Sequence, residues 1–208
     1  GPDSPEAAKA VQFVDRAIGR MAAMVDSIGL PVNFIVVSDH GMVKIDHSKL
    51  IRRPAAIDTN EFRLTVEGAL VHLYAKKRVD LKSAYHKLKA SAKGYEVYLR
   101  EDMPEHWHYG KEDDRFDRIG DIVLLAKAPA YFQFAKGVSK DNGKHGFDPA
   151  LKEMRASFFA WGPAFKQVKV APFQNIHVYP LVARILGLEY TFPIDGKPEV
   201  LQGILKIK

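Results

Sequence analysis

Val32-Asn33-Phe34-Ile35-Val36-Val37-Ser38 is a short apolar run, closed on one side by Pro31 and on the other by the polar Asp39-His40-Gly41. Its composition predicts a strand buried on both faces, the kind found in parallel sheets. A helix leads into it. Val11, Val14, Ile18, Met21, Val25 and Ile28 recur three and four residues apart and so line one face. Ser4 is placed to cap that helix with Pro5 at its first position, and Gly29 followed by Pro31 ends it. A helix feeding a buried strand predicts an α/β layer architecture. In open α/β sheets ligands collect at the carboxyl ends of strands, where Asp39-His40 falls.

Beyond residue 60 the pattern changes. Phe62-Arg63-Leu64-Thr65-Val66-Glu67 and Leu70-Val71-His72-Leu73-Tyr74 read as paired strands, and 95–99 and 122–126 as two more. Residues 80–93 read as a helix, with Asp80 as its cap and Gly94 as its terminator. The expectation is a small α+β lobe over residues 60–135, inserted into one domain that spans residues 1–208. Residues 141–149 are rich in turn formers and read as a loop. Residues 157–161 read as a second buried strand stopped by Gly162-Pro163. Residues 176–186 read as a helix with Pro180 in its first turn and Gly187 at its end.

Composition narrows the chemistry. The 208 residues contain no cysteine, which excludes a disulfide framework and any thiolate metal site. A zinc site here must use histidine and carboxylate. No apolar run approaches the roughly 20 residues that cross a bilayer. The net charge of +6 fits an anionic ligand. The basic residues gather at Lys76-Lys77-Arg78, at Lys82, Lys87, Lys89 and Lys93, and at Lys206 and Lys208. These read as solvated faces. A nucleic-acid surface would interleave aromatics with the charges, and only Tyr85 and Tyr95 lie nearby. The chain has no initiator methionine, so it is expected to begin inside a longer protein.

Asp39-His40 sets a hard oxygen beside an imidazole at a strand end, where the turning chain can aim both at one point. That donor pair suits zinc or another first-row divalent ion, with Gly41 allowing a sharp turn just after it. Taken alone, the pair reads first as a capping aspartate beside a surface histidine. His145, between Gly143 and Gly146, reads as a metal ligand or as a solvent-exposed loop histidine. His106 and His108 have a spacing that could ligate a metal on a strand, or simply lie on a surface segment. His47, His72, His86 and His177 have no partner visible in the sequence. Residues 127–134, with Pro129, Tyr131 and Phe132, either edge a substrate pocket or pack.

The blocks together carry more than each does singly. Phe34-Ile35-Val36-Val37-Ser38-Asp39-His40-Gly41-Met42 resembles the strand-plus-metal segment of the nucleotide pyrophosphatase/phosphodiesterase family, within the alkaline phosphatase superfamily. Lys144-His145-Gly146-Phe147-Asp148-Pro149, Met154 and the run from Phe158 to Lys166 resemble its later His-Gly-Tyr-Asp segment, its Met and its Phe-x-Ala-x-Gly-Pro-x-Phe strand, with Phe147 where Tyr is usual. Pro172 to Tyr179 resembles its entry to the last helix, and Gly1-Pro2-Asp3-Ser4-Pro5 the segment after an upstream metal-binding Asp-x-x-x-His. The blocks follow the family's order along the whole chain.

The resemblance implies an alkaline phosphatase-like, mostly parallel central sheet flanked by helices, of which this chain is the C-terminal part. It implies two zinc ions in the intact enzyme. Asp39 and His40 would bind one of them and His145 the other. The remaining ligands would be an Asp near the domain start, a nucleophilic Thr, and an upstream Asp and His, all outside this chain. With the Thr absent, the chain alone is expected to be inactive. The implied substrate is a nucleotide or other phosphodiester, and the implied location of the parent protein is periplasmic or secreted. The alternatives are a non-catalytic basic binding module that retains the fold, or a phosphomonoesterase or lysophospholipid phosphodiesterase of the same superfamily. An exposed sheet edge and apolar helix faces would lead the chain to self-associate or to pair with the absent N-terminal half.

Overall fold

A computed structural model describes residues 1–206. Lys208, counted above among the basic residues, lies outside the described residues. The chain divides into two units, one made of Gly1–Ala8 and Gly41–Arg155, the other of Lys9–His40 and the residues from 156 onward.

The second unit contains most of α1 (Pro5–Ser27) together with β1 (Phe34–Val37). The Ser4 hydroxyl accepts a hydrogen bond from the Ala7 N–H at 3.1 Å, which satisfies one of the free donors at the start of α1. Gly29 leaves the helix at φ +68°, in the left-handed conformation that closes helices. The periodicity predicted the helix correctly, but its apolar stripe is not covered. No residue of α1 is buried, and Val11 and Met24 are 69% and 70% exposed.

The run after Pro31 is a strand as predicted, yet it is not buried on both faces. Phe34 to Val36 are half-buried and Val37 is 46% exposed. Its neighbour in a two-stranded antiparallel sheet is β10 (Phe158–Trp161), with Phe34 opposite Trp161 and Val37 opposite Phe158. The facing rings of Phe34 and Trp161 stack at 4.8 Å. Two strands alone bury only what α3 (Val178–Leu186) and α4 (Glu199–Gln202) cover. Leu181, Leu201, Ile204, Leu205 and Phe165 form a small core, with Ile35, Phe158 and Ala160 packed against it.

The first unit holds the larger core. In chain order it comprises β2 (Val43–Lys44), β3 (Leu50–Ile51), β4 (Phe62–Glu67), β5 (Leu70–Ala75), α2 (Leu81–Ser91), β6 (Tyr95–Leu99), β7 (Ile122–Ala126), β8 (Tyr131–Phe132) and β9 (Gly143–Lys144). A four-stranded antiparallel sheet runs β4-β5-β7-β6. Gly68 at φ +68° sits in the tight β4–β5 connection, a conformation glycine adopts at little cost. α2 covers the sheet with Ala84 and Leu88, and the Asp80 carboxylate caps it by accepting from the Ser83 N–H. The β3–β8 pairing is parallel, and the β2–β9 pairing is antiparallel. Tyr131 and Phe132 are fully packed into this core, so the packing reading of that segment holds.

His72 of β5 is one of the buried histidines. Its Nδ1 accepts from the Gly120 N–H at 3.1 Å, which leaves the proton on Nε2, 3.3 Å from the Tyr109 hydroxyl. Burial holds this imidazole below its ordinary value of 6.5, while the Glu67 carboxylate acts weakly in the other direction. The unfolded chain therefore takes up the proton first as pH falls. The stability His72 contributes is complete above pH 6.5 and is lost below it, as pH drops toward the folded value. Melting curves between pH 7.5 and 5 should show this fall, and His72→Gln should flatten it. An equal slope in both proteins would remove His72 as its cause.

Candidate metal-binding site

The end of β1 is held by two hydrogen bonds to Ser157. The Ser38 N–H donates to the Ser157 carbonyl at 3.1 Å, and the Ser157 N–H donates to the Ser38 hydroxyl at 2.8 Å. The chain then bends at Asp39. One Asp39 oxygen accepts from the His40 N–H at 2.9 Å, and the other lies 3.4 Å from His40 Nε2. The two neighbouring side chains thus point to one place, as a strand-end turn allows and a continuing strand would forbid. The Asp39 side chain is 84% exposed and that of His40 38%.

Gly41 follows, but not for a left-handed turn, since it is absent from the residues with positive φ. Its N–H donates to the Met154 carbonyl at 2.9 Å, and a Cβ on it would fall 1.9 Å from the Glu153 carbonyl oxygen. Close backbone passage is the reason for glycine here.

His145 belongs to the first unit and is exposed. Before it, β9 pairs with β2, Val43 opposite Lys144, and the Ile45 N–H donates to the Asn142 carbonyl at 3.2 Å. Gly143 fits against Met42 and Pro2, where a Cβ would meet Met42 Sδ at 2.6 Å. After it, Gly146 turns at φ +85° and Phe147 is buried in the core. The Phe147 ring is therefore an anchor of the loop. Lys144 pairs with Asp141 across the same turn.

Two further histidines, His177 and His47, have partners that lie far off in sequence. His177 Nδ1 accepts from the Lys197 N–H at 3.0 Å. His47 Nδ1 lies 3.0 Å from the Tyr131 hydroxyl and its Nε2 lies 3.3 Å from Asn142 Oδ1. His106 falls in a 3-10 turn over Glu105–Trp107 rather than on a strand, with His108 as its left-handed cap. Among the described residues no group of three or more His, Asp and Glu could hold a metal ion. Asp39-His40 is thus a two-donor set, chemically suited to zinc as part of a tetrahedral site and short of the usual protein ligand count. Two shallow concavities lie in the second unit, and neither is lined by Asp39 or His40.

Comparison with known proteins gives concordant results. Residues 1–148 match the family model described as type I phosphodiesterase/nucleotide pyrophosphatase. The chain is 30% identical to ectonucleotide pyrophosphatase/phosphodiesterase family member 7 of Mus musculus, over 99% of this chain and 48% of the relative. It is 32% identical to the bis(5'-adenosyl)-triphosphatase of Bos taurus, over 91% of this chain and 41% of the relative. Among solved structures, human ectonucleotide pyrophosphatase/phosphodiesterase 5 superposes with a TM-score of 0.85 at 27% identity, covering 99% of this chain and 54% of that one. An inactive variant of the murine protein, in complex with AMP, superposes with a TM-score of 0.85 at 30% identity. The chain spans about half the length of the relatives it matches.

Proposed function

Because the chain belongs to the type I phosphodiesterase/nucleotide pyrophosphatase family, we propose that it is the C-terminal part of a zinc-dependent enzyme that hydrolyses phosphodiester or pyrophosphate bonds, with nucleotides as the foremost substrates. Its fold is the alkaline phosphatase-like α/β fold of that family. The observation that carries the reading is the meeting of Asp39 and His40 at 3.4 Å beyond the end of β1.

In this reading Asp39 and His40 hold one zinc and His145 holds the other. When bound, the pair supplies Lewis acidity at the phosphoryl oxygens and acidifies the attacking hydroxyl. The chain's own contribution is placement. The Ser38–Ser157 clamp and the Gly41–Met154 bond fix the turn that aims Asp39 and His40, while Phe147 and β9 fix the loop of His145. The nucleophile, the other ligands and the groups that select the base belong to the rest of the domain. That same half would cover the apolar stripe of α1, where Val11, Val14, Met24 and Ile28 stand exposed. The AMP-bound relative supports a nucleotide substrate.

The test compares this chain with a longer protein that includes the preceding half. With added zinc the longer protein should turn over bis(p-nitrophenyl) phosphate, and this chain should show only the zinc background. Turnover by the purified chain that disappears in His145→Ala would overturn the division of labour. A longer protein that binds no zinc would leave the basic binding module as the better reading.

A further inference from the structure

We propose that His47 is a positioning residue for the loop that carries His145. This rests on the reading of His145 as a metal ligand. The Tyr131 side chain is wholly buried, and its hydroxyl meets His47 Nδ1 at 3.0 Å while the two rings meet edge to face. On the other side, His47 Nε2 lies 3.3 Å from Asn142 Oδ1, three residues before His145. The donor and acceptor roles follow from the partners. An amide oxygen only accepts, so Nε2 carries the proton and donates to Asn142. Nδ1 then accepts from the Tyr131 O–H. One imidazole thereby links a rigid core residue to the loop that the β2–β9 pairing, the Ile45–Asn142 bond and the buried Phe147 also hold.

The base of His47 is itself fixed. It opens a 3-10 turn, His47–Lys49, whose cap Asp46 accepts from the Ser48 N–H at 2.9 Å. The Asp46 N–H donates to the Pro129 carbonyl at 3.0 Å, two residues before Tyr131. The Ile45 N–H bonds the Asn142 carbonyl, so backbone and side chain of Asn142 are held from the same stretch. His47 and Asn142 are both exposed, and a purely structural bond at such a place would add little to stability. Its effect would fall on where the next residues point. Groups that orient metal ligands typically change affinity by about 10- to 100-fold when removed.

The experiment uses the longer protein proposed above, loaded with zinc and challenged with a competing chelator, alongside melting of the zinc-free form. His47→Ala should surrender zinc at roughly tenfold lower chelator concentration, while the zinc-free melting point falls only by what the unpaired Tyr131 hydroxyl costs. His47→Gln, whose amide can still donate to Asn142, should regain most of the affinity. If His145→Ala loses zinc but His47→Ala holds it like the wild type, the proposal is wrong. It is equally wrong if His47→Ala loses zinc only in step with a lowered melting point that Gln does not restore. If His145→Ala keeps zinc as tightly as the wild type, the ligand reading itself fails and His47 loses its role with it.

Discussion

Gly41→Ala should destabilise the chain by roughly 3 kcal/mol, the upper end of what overpacking usually costs. A Cβ at this position would lie 1.9 Å from the Glu153 carbonyl oxygen, 2.8 Å from its carbon and 2.9 Å from the Arg155 oxygen. All three are backbone atoms, so no side-chain rotation can relieve the contact. The opposing segment is not free to retreat. Met154 is buried in the core, and the 3-10 turn Lys152–Met154 is closed by the bond from the Arg155 N–H to the Lys152 carbonyl. The Gly41–Met154 hydrogen bond is then stretched or broken, and the turn that carries Asp39 and His40 loses its anchor. Gly19→Ala is the matched control. That glycine lies in α1 with nothing within 4 Å of a new Cβ, so alanine there should stabilise by about 0.5–1 kcal/mol through helix propensity. Urea denaturation of both variants, followed by circular dichroism, separates the two. A wild-type midpoint for Gly41→Ala would show that the backbone at 153–155 yields, and that Gly41 does not fix the turn.

The elements were readable in the sequence because their signals are local. Ser4, Asp80 and Gly187 cap helices by bonds and dihedrals that involve only their near neighbours, whereas α2 stops at Ser91 with Ala92 as its cap, short of the expected Gly94. Strand neighbours and burial were harder to read. The apolar run at β1 resembles a central strand, yet its partner is antiparallel and Val37 is exposed. β7 is buried at all five positions and is also antiparallel. A continuous apolar run therefore reports a strand's capacity for burial. What covers it, and in which direction its neighbours run, are long-range facts. The candidate site divides the same way. Asp39 and His40 adjoin in sequence and meet in space, so they were legible. His47 was not, since its partners Tyr131 and Asn142 lie 84 and 95 residues away. The need for glycine at 41 comes from closeness to a distant carbonyl, which leaves no mark on local sequence.

Leu124→Ala is expected to cost about 2–5 kcal/mol, whereas Val14→Ala should stay within about 0.5 kcal/mol of the wild type. Both residues are apolar and both sit in regular elements, so the contrast isolates packing. Leu124 lies in β7 between β5 and β6, opposite Val71 and Val97, and is completely buried. Its removal would leave a cavity walled by strands on both sides, with hydrogen-bonded backbones that cannot close in. Val14 lies on the apolar stripe of α1 and is 53% exposed. Little apolar area returns to water when it is trimmed, so the transfer free energy at about 25 cal/mol per Å² has little to act on. The same reasoning places the stability of this chain in the first unit, whose core includes fully buried Val71, Leu73, Leu88, Ile122 and Tyr131. In a protein where the preceding half covers α1, Val14→Ala would instead cost more than it does here, as the side chain would then lose real contacts. Measuring both substitutions in both contexts reads that cover directly. Equal costs for Val14→Ala in the two contexts would mean that α1 is an outer helix in the whole protein, and its apolar stripe would then need another explanation.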